Sequence, residues 1–483
     1  LDADKQITSA NGQEYPDAIN ELNNRINMGT LIVNYLGHGS ELRLSSEGLI
    51  SKNSVNKWSN MDKLALFITG TCKFSRFDNS EANDDPTSAG EHLLLDIDGG
   101  AIALLSTSRV TYAGNNLNLN SRFYDYMFGQ INNKPLRIGD AYKISKNLTN
   151  DDNKKIFVLL GDPAIRLNYA IDKVILTKVN NTNINNFNDT IRAFSNVKIE
   201  GLVVDKNSNI ISNFNGKVII TLFDKRINLA TLNNDGHGAM EYWNQFTILF
   251  KGTAKASNGA FSAEFTIPKD IFYNYGKAKF SFLAFDETIN ATGFSNDITL
   301  GGVSQNFEND TIPPTIKLYL NDTLFANGGS SDCNPYIYAI IEDNSGINLS
   351  SANVGHDISA YIDNDNQNIF TLNEYFETFP NNFKKGFVKY QLFNLPAGNH
   401  TLTLKAYDIY NNPAQKNLNF TVIDNTELTI NRLYNYPNPF TTNTDFYFEH
   451  NKPNSNFDVF IQILSPSGKI IKTIHQQIIS SGF

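Results

Sequence analysis

Cysteine is almost missing from this chain of 483 residues: only Cys72 and Cys333 occur. They fall in what read below as different domains, so a disulfide framework is not expected and each thiol needs its own explanation. No apolar run approaches the roughly 20 residues that cross a bilayer as a helix, so the chain is not a membrane anchor by itself. Clusters of Lys and Arg are lacking too. The formal charge of −9 is spread along the sequence, nothing in it would neutralise a row of phosphates, and nucleic acid is not an expected partner. The chain opens at Leu1 without a Met or a signal-like segment, and Gln476-Gln477-Ile478-Ile479 reads as a strand whose continuation after Phe483 is absent. The sequence is therefore read as a portion of a longer protein.

What is present describes packed globular material, with 41% hydrophobic and 18% charged residues. The length calls for three or four domains, because single cores stop growing near roughly 200 residues. From residue 1 to 170 short apolar strands alternate with amphipathic stretches, the pattern of an α/β sheet with parallel strands. Ile19, Leu22 and Ile26 recur at helical spacing before a strand from Leu31 to Leu36. A second strand, Leu64 to Ile68, leads into Thr69-Gly70-Thr71-Cys72. Pro86 and the Ser88/Glu91 capping-box spacing announce a helix, and a strand from Ala101 to Leu105 follows. Helices are expected around 121–128 and 138–148, the latter with Ile138, Ala141, Ile144 and Leu148 on one face. A strand from Phe157 to Leu160 and Gly161-Asp162-Pro163 close the region.

After Ala170 the helical period gives way to alternation, as in Lys217 to Leu222 and Phe261 to Thr266. Residues 171–310 read as a β-sandwich. Beyond the paired prolines Pro313 and Pro314, residues 311–425 read as a second one, opened by Ile316 to Leu320 and ending near Asp424. Residues 426–483, from Glu427 with Val459 to Leu464 and a Ser467-Gly468 turn, read as the start of a third β unit.

Two residues carry chemistry. His38, in Gly37-His38-Gly39, and Cys72 both follow a strand's carboxyl end, where open α/β sheets bind their ligands. If the two strands are neighbours, the imidazole can activate the thiol for attack on a carbonyl and then protonate the leaving amine. Gly37 and Gly39 let backbone approach a substrate, and the N–H groups of Gly39 and Cys72 are the candidate oxyanion hole. On residues alone a second reading stays open, since free cysteine is among the most buried residue types and a lone histidine beside a sheet is more often structural. Gly236-His237-Gly238 repeats the tripeptide in a β region with no cysteine near it, and His237 reads as a turn residue. Cys333 reads as a small buried hydrophobe at a strand start, His92 as a packing or surface residue on a helix, and Asp363-Asn364-Asp365-Asn366 as a polar turn rather than a calcium loop. No metal or cofactor is expected.

The stretch Gly29-Thr30-Leu31-Ile32-Val33-Asn34-Tyr35-Leu36-Gly37-His38-Gly39-Ser40-Glu41, followed 34 residues after the histidine by Thr71-Cys72-Lys73-Phe74-Ser75-Arg76-Phe77-Asp78, resembles the His and Cys motifs of the gingipain (peptidase C25) family. Ser88-Ala89-Gly90-Glu91 and Gly161-Asp162-Pro163-Ala164 resemble its sortase branch, and Tyr436-Pro437-Asn438-Pro439-Phe440 resembles the opening of a type IX cargo domain. The resemblance covers about residues 10 to 170. It implies an α/β caspase-like (gingipain-type) catalytic domain portion followed by all-β sandwich domains. It also implies a cysteine endopeptidase with Cys72 as nucleophile and His38 as base. Cargo C-terminal signal domains would be cleaved through a thioester and the cargo passed to an amine of anionic lipopolysaccharide. This would happen at the extracellular face of the bacterial outer membrane, beside type IX attachment-complex proteins.

Gingipains orient the histidine with an acid upstream of the His motif, a stretch this chain does not include, so no third catalytic residue is assigned. Glu41, Asp78 and Asp162 read as solvated or loop-capping acids. Without the upstream strands the sheet is expected to have an unpaired edge. A reading of another class is a surface adhesin whose α/β domain is inert and whose β-sandwiches bind.

Overall fold

The computed structural model describes residues 2–9, 12–56, 58–79, 87–131, 134–305, 307, 309–352, 355–365, 368–393, 395–423, 430–450, 456–465 and 468–479. The expectations placed on Leu1, Pro86, Asn366, Asp424, Glu427, Ser467 and Phe483 lie outside the described residues. The chain divides into two compact units, residues 1–169 with 228–244, and residues 170–227 with 245–483.

The first unit is built on four strands, β1 (Ile32–Leu36), β2 (Ala65–Gly70), β3 (Ala101–Thr107) and β4 (Phe157–Gly161), hydrogen-bonded in the order β4-β3-β2-β1. Around them lie helices α1 (Pro16–Met28), α2 (Ala89–Leu95), α3 (Ala113–Met127) and α4 (Ile138–Leu148). Strand β2 is buried along its whole length, and its two-residue side-chain period feeds two cores. Ala65 and Phe67 join Ile26 of α1 and Leu93 of α2, whereas Leu66 and Ile68 join Phe123 and Met127 of α3 and Ile138 and Ala141 of α4. The unit is thus a helix–sheet–helix sandwich, and the apolar runs of β2 and β3 are what a sheet covered on both faces requires.

Strands β1, β2 and β3 are parallel, as expected, but β4 runs antiparallel to β3. The physical reason lies in the connection. Two helices, α3 and α4, pack on one another between β3 and β4. The chain therefore crosses the sheet twice and re-enters from the end at which β3 finished. Helix α3 is longer than the 121–128 expected, and in α4 Ser145 is buried while Leu148 is 42% exposed, so the apolar face drifts from the line drawn on spacing alone. The capping box of Ser88 and Glu91 is formed as the sequence implies. Among the described residues β1 pairs only with β2, leaving its other edge unpaired.

In the second unit, residues 172–303 form one hydrogen-bonded path of seven strands plus a three-stranded sheet. Val218, Ile220 and Leu222 of the strand Lys217–Phe223 point into its core, in the alternation the sequence shows. The path rolls so that Phe250 and Phe265, on its two end strands, stack at 3.8 Å between ring centres. Residues 315–422 form a four-stranded and a five-stranded sheet around a separate core. Residues 430–479 supply two hairpins, Ile430–Tyr436 with Asp445–His450 and Asn456–Leu464 with Ile470–Ile479.

The hairpin of Ile227–Ala230 and Glu241–Asn244 carries the Gly236-His237-Gly238 turn, and its residues 228–244 group with the first unit although the sequence counts them in the β-sandwich. The cause is long-range in sequence: Asp2 Oδ1 accepts from Asn234 N at 2.8 Å, and the Asp2 carbonyl from Leu232 N at 2.7 Å. His237 is exposed in that turn.

Three acids of the second unit converge, with carboxylate oxygens of Asp310, Asp343 and Asp408 within 4.8 Å of one another. Burial, with the Asp408 carboxylate beside it, pushes Asp343 up to about 6. A carboxyl raised above its unfolded value binds its proton more tightly when folded, so its contribution to stability is present at low pH and lost as pH rises from about 4 to about 6. Measured by thermal unfolding, the stability advantage of Asp343→Asn over the parent is expected to grow through that window and then level off; an advantage independent of pH would contradict the assignment.

Candidate active site

The parallel pairing of β1 with β2 sets Leu36 opposite Gly70, and Gly37 N donates to Gly70 O at 3.3 Å. His38 and Cys72 therefore stand at equivalent positions, each two residues beyond the end of its strand, on neighbouring strands. Neighbouring strands lie roughly 4.8 Å apart, so the register itself brings the two loops together. Their contact is made by Gly39, where an added Cβ would come within 2.4 Å of Thr71 Oγ1. A second close approach explains Gly37, whose Cβ would meet the Tyr35 hydroxyl at 2.7 Å. Both glycines are thus required by packing between the protein's own groups, a reason the sequence did not reveal.

The histidine loop is fastened by its backbone. The His38 carbonyl accepts from the Tyr35 hydroxyl at 2.6 Å and from Ser45 N at 2.9 Å. Burial, reinforced by the Glu47 carboxylate, pushes Tyr35 up to about 12, so the phenol stays a donor at any physiological pH. Side-chain alternation along β1 carried this information, since Tyr35 is the last aromatic before the tripeptide. The His38 side chain is exposed and, among the described residues, makes no hydrogen bond. The carboxylates of Glu41, Asp78 and Asp162 are engaged elsewhere. Asp78 pairs with Arg109 at 2.5 Å, and that pairing holds its carboxyl below the usual range. Asp162 caps its own turn by accepting from Ala164 N at 2.8 Å.

The cysteine loop hangs from the ends of β2 and β3. The Thr71 carbonyl accepts from the hydroxyls of Thr107 and Thr111, the latter at 3.2 Å. Thr111 in turn accepts from Asn116 of α3 at 2.8 Å. Lys73 turns sharply at φ 56°, an uncommon conformation for a residue with a side chain, and donates to Arg109 O at 3.1 Å. Phe74 is buried in the core, and Gly90 N of α2 donates to its carbonyl at 3.0 Å. Half-buried Cys72 points its sulfur at the Thr111 carbonyl, 3.8 Å away. None of Thr107, Thr111 or Asn116 was singled out in the sequence, because their roles depend on β3 lying next to β2.

Among the described residues no hydrogen bond uses the N–H of Gly39 or of Cys72. These are the two donors that the sequence suggests for an oxyanion. Other residues singled out earlier are structural. Cys333 is half-buried in a loop before the strand Tyr336–Glu342, against the second β core, rather than fully buried. Asp363 accepts from His400 at 2.6 Å in a turn where Asp363 and Asn364 have φ 53° and 61°, the polar turn expected. His92 is half-buried on α2.

A thiol and an imidazole thus stand on adjacent loops at the carboxyl end of a mostly parallel sheet. Residues 1–168 match the family model of peptidase family C25. No curated protein matches the chain significantly. Among solved structures the chain is similar to dimeric latent PorU from Porphyromonas gingivalis, at 26% identity over 80% of this chain and 37% of that one, with a TM-score of 0.34. It is also similar to the complex of RgpB pro- and mature domains from Porphyromonas gingivalis, at 15% identity over 59% and 57% of the two chains, with a TM-score of 0.29. The chain thus spans little more than a third of the PorU chain.

Gly39→Ala tests the contact between the loops. Overpacking typically costs about 1–3 kcal/mol, and a loss in that range is expected in denaturant unfolding of the first unit; a variant as stable as the parent would show that the loops do not touch at Gly39.

Proposed function

We propose that this chain is part of a cysteine endopeptidase of the type IX sortase kind, with a caspase-like catalytic region in which Cys72 is the nucleophile and His38 its base. The observation that carries the reading is the register of β1 on β2, which sets both residues two positions past paired strand ends. The match of residues 1–168 to the C25 family supports it.

Cys72 gives its thiol proton to His38, and the resulting Sγ thiolate attacks the scissile carbonyl and forms a C–S bond. The negative oxygen of the tetrahedral intermediate accepts from the N–H groups of Gly39 and Cys72. The C–N bond then breaks, the amine leaves with a proton from His38, and a thioester remains on Cys72. Water resolves it in hydrolysis. In the sortase reading an amine does so, giving its proton to His38 and releasing the thiol. The substrates in that reading are C-terminal signal domains of secreted cargo, the acceptor is anionic lipopolysaccharide, and the place is the outer face of the bacterial outer membrane beside the type IX attachment complex.

Labelling by a thiol-reactive peptidyl probe separates this from an inert domain on a surface adhesin. Labelling is expected to vanish in Cys72→Ala and to fall by about a hundredfold or more in His38→Ala, the range of general acid–base catalysis. A folded parent that does not label, or labelling indifferent to His38, would favour the adhesin.

A further inference from the structure

We propose that Glu41 is a positioning residue that sets the distance between His38 and Cys72. The inference rests on the peptidase reading above and adds a residue to it. Glu41 stands three positions after the histidine, yet its carboxylate is spent on the cysteine loop. Oε1 accepts from Arg76 Nη1 at 2.9 Å and lies 3.8 Å from Lys73 Nζ, while Oε2 accepts from Asn79 Nδ2 at 3.1 Å. Its main chain is fastened as well, because the Glu41 carbonyl accepts from Ala89 N, the first residue of α2, at 2.7 Å. The Glu41 side chain is 24% exposed, so these charge-assisted bonds are stronger than those of a free surface pair.

The remaining supports of the two loops do not link them in this way. Tyr35 and Ser45 hold His38 to its own strand and turn, and Thr107, Thr111 and Gly90 hold the cysteine loop to β3, its following loop and α2. Backbone joins the loops at Gly37 N–Gly70 O and through the start of α2, whose Ala89 and Gly90 N–H groups reach Glu41 O and Phe74 O; beyond these, the Gly39–Thr71 contact limits how close the loops come, and the Glu41 carboxylate is the side-chain tie that limits how far they part. Attack by a thiol on a carbonyl depends steeply on placement, and a misplacement of about 1 Å can cost about a hundredfold in rate. Removing the carboxylate leaves β1, β2 and the Phe74 anchor intact, so the imidazole and thiol lose their mutual distance while the unit keeps its fold.

The test uses the full chain and a peptidyl chloromethyl ketone, with the saturating alkylation rate and the half-saturating concentration measured separately, and iodoacetamide as a small reagent that needs no bound peptide. Glu41→Ala is expected to lower the saturating rate by about tenfold or more, and iodoacetamide alkylation with it because both need the thiolate, with the half-saturating concentration little changed. Glu41→Gln, which keeps acceptor oxygen and volume, should recover part of the rate. Arg76→Ala should reproduce the loss from the other side, and the double variant should be no slower than the slower single one, as expected for one shared contact. If Glu41→Ala fails to fold, Arg76→Ala and Glu41→Gln carry the comparison. Rates unchanged in these variants, losses that add in the double variant, or a loss seen only in the half-saturating concentration would overturn the proposal. If the ketone also labels Cys72→Ala at the parent rate, the peptidase reading falls with it; if labelling requires Cys72 and His38 but ignores Glu41, only the positioning role falls.

Discussion

Everything proposed for the site depends on one ladder of hydrogen bonds, the parallel pairing in which Ile32 faces Leu66 and Leu36 faces Gly70. In a sheet the side-chain period is two, so a slip of one residue would turn the half-buried Val33 and Tyr35 of β1 to the wrong face and carry His38 away from Cys72 together with it. The register is fixed because β2 is apolar on both faces and locked between two cores, leaving β1 a single partner among the described residues. A site at the end of such a ladder is placed by the packing of the whole unit.

Local devices then refine what the ladder sets. Two glycines permit contacts that any Cβ would forbid, Gly37 under the Tyr35 ring and Gly39 against Thr71. The left-handed turn at Lys73 follows directly on the nucleophile, whose half-buried sulfur points at the Thr111 carbonyl. Strained backbone of this sort costs of order 1–3 kcal/mol and persists only where surrounding structure over-determines it. Here Phe74 in the core and the hydroxyls of Thr107 and Thr111 on the Thr71 carbonyl supply that determination.

How much of this could be read beforehand follows from the range of each interaction. Strand and helix positions in the first unit, the Ser88/Glu91 capping box, and the placement of His38 and Cys72 past strand ends all depend on residues close in sequence, and they were legible. The antiparallel run of β4 was not, because it follows from α3 packing on α4. The grouping of residues 228–244 with the first unit depends on Asp2, more than 200 positions away. Glu41 was visible as an acid near the histidine, but its partners Arg76 and Asn79 belong to another loop, and only the β1–β2 register brings them to it.

The central claim is that His38 and Cys72 are neighbours in space, and nuclear magnetic resonance of nitrogen-labelled histidine tests it without any substrate. Blocking Cys72 with a methanethiosulfonate should move the imidazole resonances of His38 and leave those of His237, in the same tripeptide elsewhere, unchanged. Resonances of His38 that do not respond, in a protein whose Cys72 is fully modified, would contradict the account.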